Sequence, residues 1–126
     1  MDSIAGDYFV KLSDGQKRIA LIARALIHKP DILVLDEPLC RLDLKAKSNV
    51  LKLIKKIIDN GTTVLQVTHD LQSITSEINR VILMKNRKIV GDGKTADCLT
   101  SEKISNLFDL PLLITKSRMS WQAYPK

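Results

Sequence analysis

Two adjacent carboxylates, Asp36 and Glu37, follow directly on the unbroken apolar run Ile32-Leu33-Val34-Leu35, and His69 follows a second apolar stretch that ends at Val67. Ligands of open α/β sheets bind outside the carboxyl ends of the strands, so acids and an imidazole at those ends are candidates for chemistry. The plainer alternative is that the acids cap the strand end or its loop and that His69 is a satisfied loop residue. Further upstream, Ser13-Asp14-Gly15-Gln16 opens a helical pattern. Serine followed three residues later by glutamine is a capping box, which needs no ligand. Gly15 adds a second reading, because a glycine in the first turn lets an anion approach the exposed N–H groups at the positive end of the helix.

The elements that must position these groups follow from periodicity. Ser13 to Lys29 reads as a helix, with Ile19, Ile22, Ala23, Leu26 and Ile27 on one face and Pro30 after the last turn. His28 and Lys29 fall at its C-terminal end, where cations meet the partial negative charge of the helix. The run from Ile32 to Leu35 suits a parallel strand buried on both faces. A second helix spans Leu44 to Asp59, with Val50, Leu53, Ile54, Ile57 and Ile58 inward and Asn60-Gly61 as its stop. Thr63 to Val67 is the next strand, and Thr68-His69-Asp70 leads into a helix expected to begin near Leu71, with Asp70 as N-cap.

Strand, helix, strand and helix in alternation predict an α/β fold with a parallel sheet. Val81–Met84 and Lys88–Val90 flank a hairpin turn, short helices are expected around Ala96–Leu99 and Glu102–Phe108, and the tail beyond Pro111 has weak periodicity. At 126 residues and 44% hydrophobic content the chain is long enough for one modest core. No apolar run is long enough to span a membrane, and Met1 to Gly6 hold neither a basic region nor an apolar signal core. The expectation is a cytoplasmic chain.

Cys40 and Cys98 match no metal spacing, and with His28 and His69 they are too few for a zinc cluster. The net charge of +6 arises from scattered lysines and arginines without interleaved aromatics, which argues against nucleic acid as a partner.

Leu12-Ser13-Asp14-Gly15-Gln16, Ile32-Leu33-Val34-Leu35-Asp36-Glu37-Pro38 and Val67-Thr68-His69-Asp70, in this order, resemble the signature, Walker B and switch-histidine segments of ABC transporter ATP-binding subunits. The resemblance covers nearly the whole chain. It implies a partial P-loop NTPase (RecA-like) fold, with the signature helix at 13–29, the Walker B strand at 32–36, the histidine strand at 63–67, a hairpin and short helices over 81–110 and a tail over 111–126. By the same resemblance Ser13, Gly15 and Gln16 face the terminal phosphate of an ATP held mainly by an opposite subunit. Asp36 lies near Mg2+, mostly through water, since magnesium keeps much of its hydration. Glu37 orients and deprotonates the attacking water, and His69 holds the phosphate, the water and Glu37 in register. Asp43 occupies the D-loop position. Two departures stand out: Asp14-Gly15 replaces the usual Gly-Gly, and Arg41 is bulkier than the family pattern.

The phosphate loop itself is not among these residues. Gly93-Lys94-Thr95 imitates its end, but the glycine the motif needs five positions earlier is Lys88, and the segment reads as a turn. The resemblance therefore implies the C-terminal part of an ABC ATPase, inactive without a phosphate-loop partner. A second ABC ATPase subunit or a phosphate-loop-bearing half is the expected companion, and a membrane permease a further one. Importer-type transport is expected, with metal chelates or oxyanions suggested by the stretch Leu99–Pro111. The alternative is a catalytically silent interaction module or a degraded remnant of such an ATPase.

Overall fold

The computed structural model describes residues 11–118 and 120–126. The expectation about Met1 to Gly6 falls outside them. The chain divides into two compact units, one ending at His69 and the other beginning at Asp70.

In the first unit, helix α1 (Asp14–Leu26) begins at Ser13, whose side chain accepts from the Gln16 amide while the Gln16 side chain accepts from the Ser13 amide. Both arms of the capping box are therefore made. The helix ends three residues short of Lys29, which has a left-handed φ of 47° just before Pro30. A residue before proline is disfavoured in the helical region, so the chain has left the helix before His28 and Lys29. Strand β1 (Ile32–Asp36), helix α2 (Leu44–Asp59) and strand β2 (Thr63–Val67) follow, and β1 pairs with β2 in parallel from Ile32↔Thr63 to Asp36↔Val67.

The core lies between this sheet and the two helices: Ile22, Leu33, Leu35, Leu39, Leu42, Val50, Ile54 and Ile57 are buried together. At about 1.5–3 kcal/mol for each fully buried aliphatic side chain, this single cluster is the main support of the unit. Gly15 belongs to the same packing. A Cβ there would meet the Ala46 Cβ at 2.7 Å, so the bare backbone lets α1 sit against the first turn of α2.

Burial of β1 differs from the sequence expectation. Leu33 and Leu35 are buried, but Ile32 and Val34 are 61% and 59% exposed, and Leu65 and Val67 on the neighbouring strand are open too. Helices cover one face of the pair, and among the described residues none covers the other. A continuous apolar run cannot reveal how many layers pack on it.

In the second unit, the helix expected near Leu71 is a single 3-10 turn, Leu71–Ser73, capped by Asp70. Ile74 and Thr75, both β-branched, turn extended instead, and Thr75 bridges to Ser120. Strands β3 (Arg80–Lys85) and β4 (Lys88–Lys94) form an antiparallel hairpin whose turn residues Asn86 and Arg87 both have positive φ, the geometry of a type I′ turn. Gly93-Lys94-Thr95 is not a turn: β4 runs through Lys94 directly into the short helix α3 (Thr95–Cys98).

Helix α4 (Ser101–Phe108) follows, and the tail forms a second hairpin of β5 (Leu112–Lys116) and β6 (Trp121–Pro125). Leu83, Cys98, Leu99, Ile104 and Leu112 make its core, with Trp121 packed beside them. The three two-stranded sheets are separate.

Candidate functional site

Parallel pairing brings the carboxyl ends of β1 and β2 side by side, and the ladder continues one residue further, where the Glu37 amide donates to the Val67 carbonyl at 2.8 Å. Glu37 then turns sharply. Its φ of 46° is left-handed, and its carbonyl accepts from the Cys40 amide at 3.2 Å across the turn. Pro38 and Leu39 are buried, which anchors the turn from below.

The result is a carboxylate that reaches across to the end of β2. Thr68 Oγ1 donates to Glu37 Oε2 at 3.2 Å, the His69 amide donates to Oε1 at 3.0 Å, and His69 Nδ1 lies 2.5 Å from the same oxygen. The Glu37 side chain is 29% exposed and that of His69 78%. Partial burial, the largest single influence on Glu37, pushes its carboxyl up. The bonds from the His69 ring, the His69 amide and the Thr68 hydroxyl, with the charge of His69, outweigh it and hold the carboxyl below its ordinary value.

An ionised carboxylate so held accepts hydrogen bonds and can orient a water, but a lowered pKa makes it a weaker proton acceptor than a base poised near neutrality. With Nδ1 donating to Glu37, the other ring nitrogen is left for a ligand. Contact with an anion through Nε2 then requires the doubly protonated ring.

The remaining sequence candidates stand apart from this cluster and have local structural roles. Ser13 and Gln16 satisfy each other in the capping box, and Asp14 is exposed in the first turn of α1. Gly15 is buried, and the position its side chain would take is filled by Ala46. Asp43 caps α2, its Oδ1 accepting from the Ala46 amide at 2.8 Å. Arg41 takes a left-handed φ of 62° and is exposed, while Leu42 beside it is buried. Thr68, to which sequence reasoning assigned no role, is the addition made by the structure.

Asp36 is the last residue of β1 and is exposed. Among the described residues no three histidine, cysteine, aspartate or glutamate side chains gather into a metal site. A single exposed carboxylate still fits magnesium, which is commonly held by one or two carboxylates together with substrate phosphates. An open cleft of about 660 Å3 lies elsewhere, between Ser101, Ser105, Asp109 and Lys126 in the second unit. It contains none of these groups, and chemistry rather than concavity makes Glu37 and His69 the candidate site.

A short parallel pair with helices on one face, and with acids and a histidine at its carboxyl end, is consistent with a segment of the P-loop NTPase class. The chain belongs to the ABC transporter ATP-binding family and carries part of that domain. The ABC transporter family model matches residues 1–40. A manganese transport system ATP-binding protein of Synechocystis is 39% identical over 82% of this chain and 40% of its own length. An energy-coupling factor transporter ATP-binding protein of Thermotoga maritima is 39% identical over 70% of this chain and 33% of its own.

A solved ABC transporter of metal-chelate type, in an inward-facing conformation, superposes with a TM-score of 0.82 at 30% identity, covering 94% of this chain and 49% of that one. The chain thus spans less than half the length of each of these relatives. Among the described residues no helix is long and apolar enough to cross a membrane.

Proposed function

We propose that this chain supplies the hydrolytic wall of an ABC-type ATPase serving an importer. The observation that carries the reading is the cluster of Glu37, Thr68 and His69 at the joined carboxyl ends of β1 and β2. Glu37 orients the attacking water and receives its proton, and His69 presents Nε2 to the terminal phosphate of ATP. Asp36 lies where a magnesium ion arriving with the nucleotide is stabilised, the ion offsetting charge on the phosphates. Ser13, Gly15 and Gln16, at the N-terminus of α1, face a nucleotide held by a second ATPase subunit.

The phosphates need a cradle, and Gly93-Lys94-Thr95 does not supply one: the motif's first glycine is Lys88, and β4 runs through Lys94 into a helix of 4 residues with no loop between. A phosphate-loop-bearing half is therefore the required companion, and the assembly is expected at the cytoplasmic face of a permease. The relatives' names, which include manganese and energy-coupling factor transport, support import as the process.

The test mixes the chain with a separately expressed phosphate-loop half of the Synechocystis relative and measures ATP hydrolysis. Activity above that of the half alone, abolished by Glu37→Gln, is the expected outcome; activity no higher than the half alone refutes the reading. A silent interaction module is the second reading. It is favoured by the purely structural roles that Ser13, Gln16, Gly15 and Asp43 already fill. Magnesium-dependent nucleotide binding by the assembled pair that is tighter than by the phosphate-loop half alone separates the two, because a silent module would add nothing to it.

A further inference from the structure

The donors that hold the Glu37 carboxylate differ in how firmly they are themselves held. The His69 ring bonds Oε1 from a largely exposed side chain. The Thr68 hydroxyl on Oε2 and the His69 amide on Oε1 come instead from a half-buried side chain and from the backbone just past the end of β2. Between them they occupy both carboxylate oxygens, so the ring can leave without freeing either one.

We propose that Thr68 is the positioning residue of this site: its hydroxyl, together with the His69 amide, fixes the Glu37 carboxylate independently of the His69 ring. The ring can then turn towards a phosphate-bearing ligand while the carboxylate stays in place, a consequence that rests on the function proposed above. The backbone supports the same division of labour. Glu37 has a φ of 46° although it precedes Pro38, and residues before proline favour extended conformations. Such a conformation persists where the surroundings over-determine it. Here the amide bond to Val67, the carbonyl bond from Cys40 and the carboxylate bonds from Thr68 and His69 do so.

Valine at position 68 keeps the shape and removes the donor, whereas serine keeps the donor and removes only a methyl group. The experiment measures amide exchange protection at residue 69 by NMR in the full 126-residue chain, without nucleotide. Its outcome is thus readable whether or not the assembled pair hydrolyses ATP. Thr68→Val is expected to lower that protection about two- to tenfold, the worth of one hydrogen bond, with the β1–β2 ladder amides unchanged. Thr68→Ser is expected to restore protection to within about twofold, and His69→Ala, which removes the ring alone, to leave it within about the same margin.

Unchanged protection in Thr68→Val, or failure of serine to restore it, overturns the proposal. So does a loss in His69→Ala as large as that in Thr68→Val. Should valine loosen the ladder amides as well, the serine and alanine variants decide by the same criteria.

Discussion

Replacing Gly15 by alanine tests whether that glycine is there for packing. A Cβ at position 15 would lie 2.7 Å from the Ala46 Cβ and 3.5 Å from its Cα. Carbon pairs are comfortable at about 3.5–4.0 Å, so the added methyl is too close by roughly 1 Å. Both atoms are rigidly attached to helix backbones, and relief requires α1 and α2 to separate. Overpacking of this kind costs about 1–3 kcal/mol, while alanine in place of glycine returns up to about 1 kcal/mol of helix propensity.

Gly15→Ala is therefore expected to destabilise the chain by about 1 kcal/mol. Ala46→Gly, which loses helix propensity and a packed methyl, is expected to cost about 1–2 kcal/mol. The double variant moves the methyl from one helix to the other and is expected to lie within about 0.5 kcal/mol of wild type, giving a coupling of roughly 2 kcal/mol. Urea unfolding followed by circular dichroism measures all four corners of the cycle. A Gly15→Ala chain that is more stable by the full propensity gain, or single effects that simply add, would refute the packing argument.

Three further outcomes follow from the same structure. The Glu37 carboxyl is held below its ordinary value of 4.5, so its contribution to stability is fully present above that pH and is lost as pH falls through the lower folded value. Glu37→Gln is expected to remove this part of the acid dependence, measured as the urea midpoint against pH. Ser13→Ala breaks one arm of the capping box and is expected to cost about 1 kcal/mol by thermal melting, whereas Ser13→Asn retains most of it. Val34→Thr on the open face of β1 is expected to change stability by less than about 0.5 kcal/mol, while Leu35→Ala on the covered face costs about 2–5 kcal/mol; equal losses would mean the open face is covered.

What the sequence revealed, and what it withheld, divides along a physical line. Leu44–Asp59 and Thr63–Val67 were legible to the residue because their periodicity and their stops at Asn60-Gly61 and Thr68 are local. The capping box at Ser13 was legible for the same reason. The open face of β1 was not, since Ile32 and Val34 read as core whether one layer of helices covers them or two. Nor was the role of Gly15 against Ala46, a contact between two helices that no spacing within either one encodes.

The short turn at Leu71 was missed because the preference of Ile74 and Thr75 for extended backbone is realised by a bridge to distant Ser120. The hairpin of the tail carries little signal, because Leu112-Leu113-Ile114 is a short unbroken apolar run followed by Thr115-Lys116, without the alternation that marks a half-buried strand. At the site, Glu37 and His69 were identifiable by type and position. Thr68 became visible only when parallel pairing placed its hydroxyl over the carboxylate.

The role proposed for Glu37 is to act on water and not on nucleotide affinity. Single-turnover hydrolysis of pre-bound ATP by the chain assembled with a phosphate-loop half, compared between wild type and Glu37→Gln, tests it most directly. Glu37→Gln is expected to leave ATP binding unchanged and to lower the hydrolysis rate by about a hundredfold or more, the usual worth of a positioned general base. Equal rates in the two proteins would contradict it.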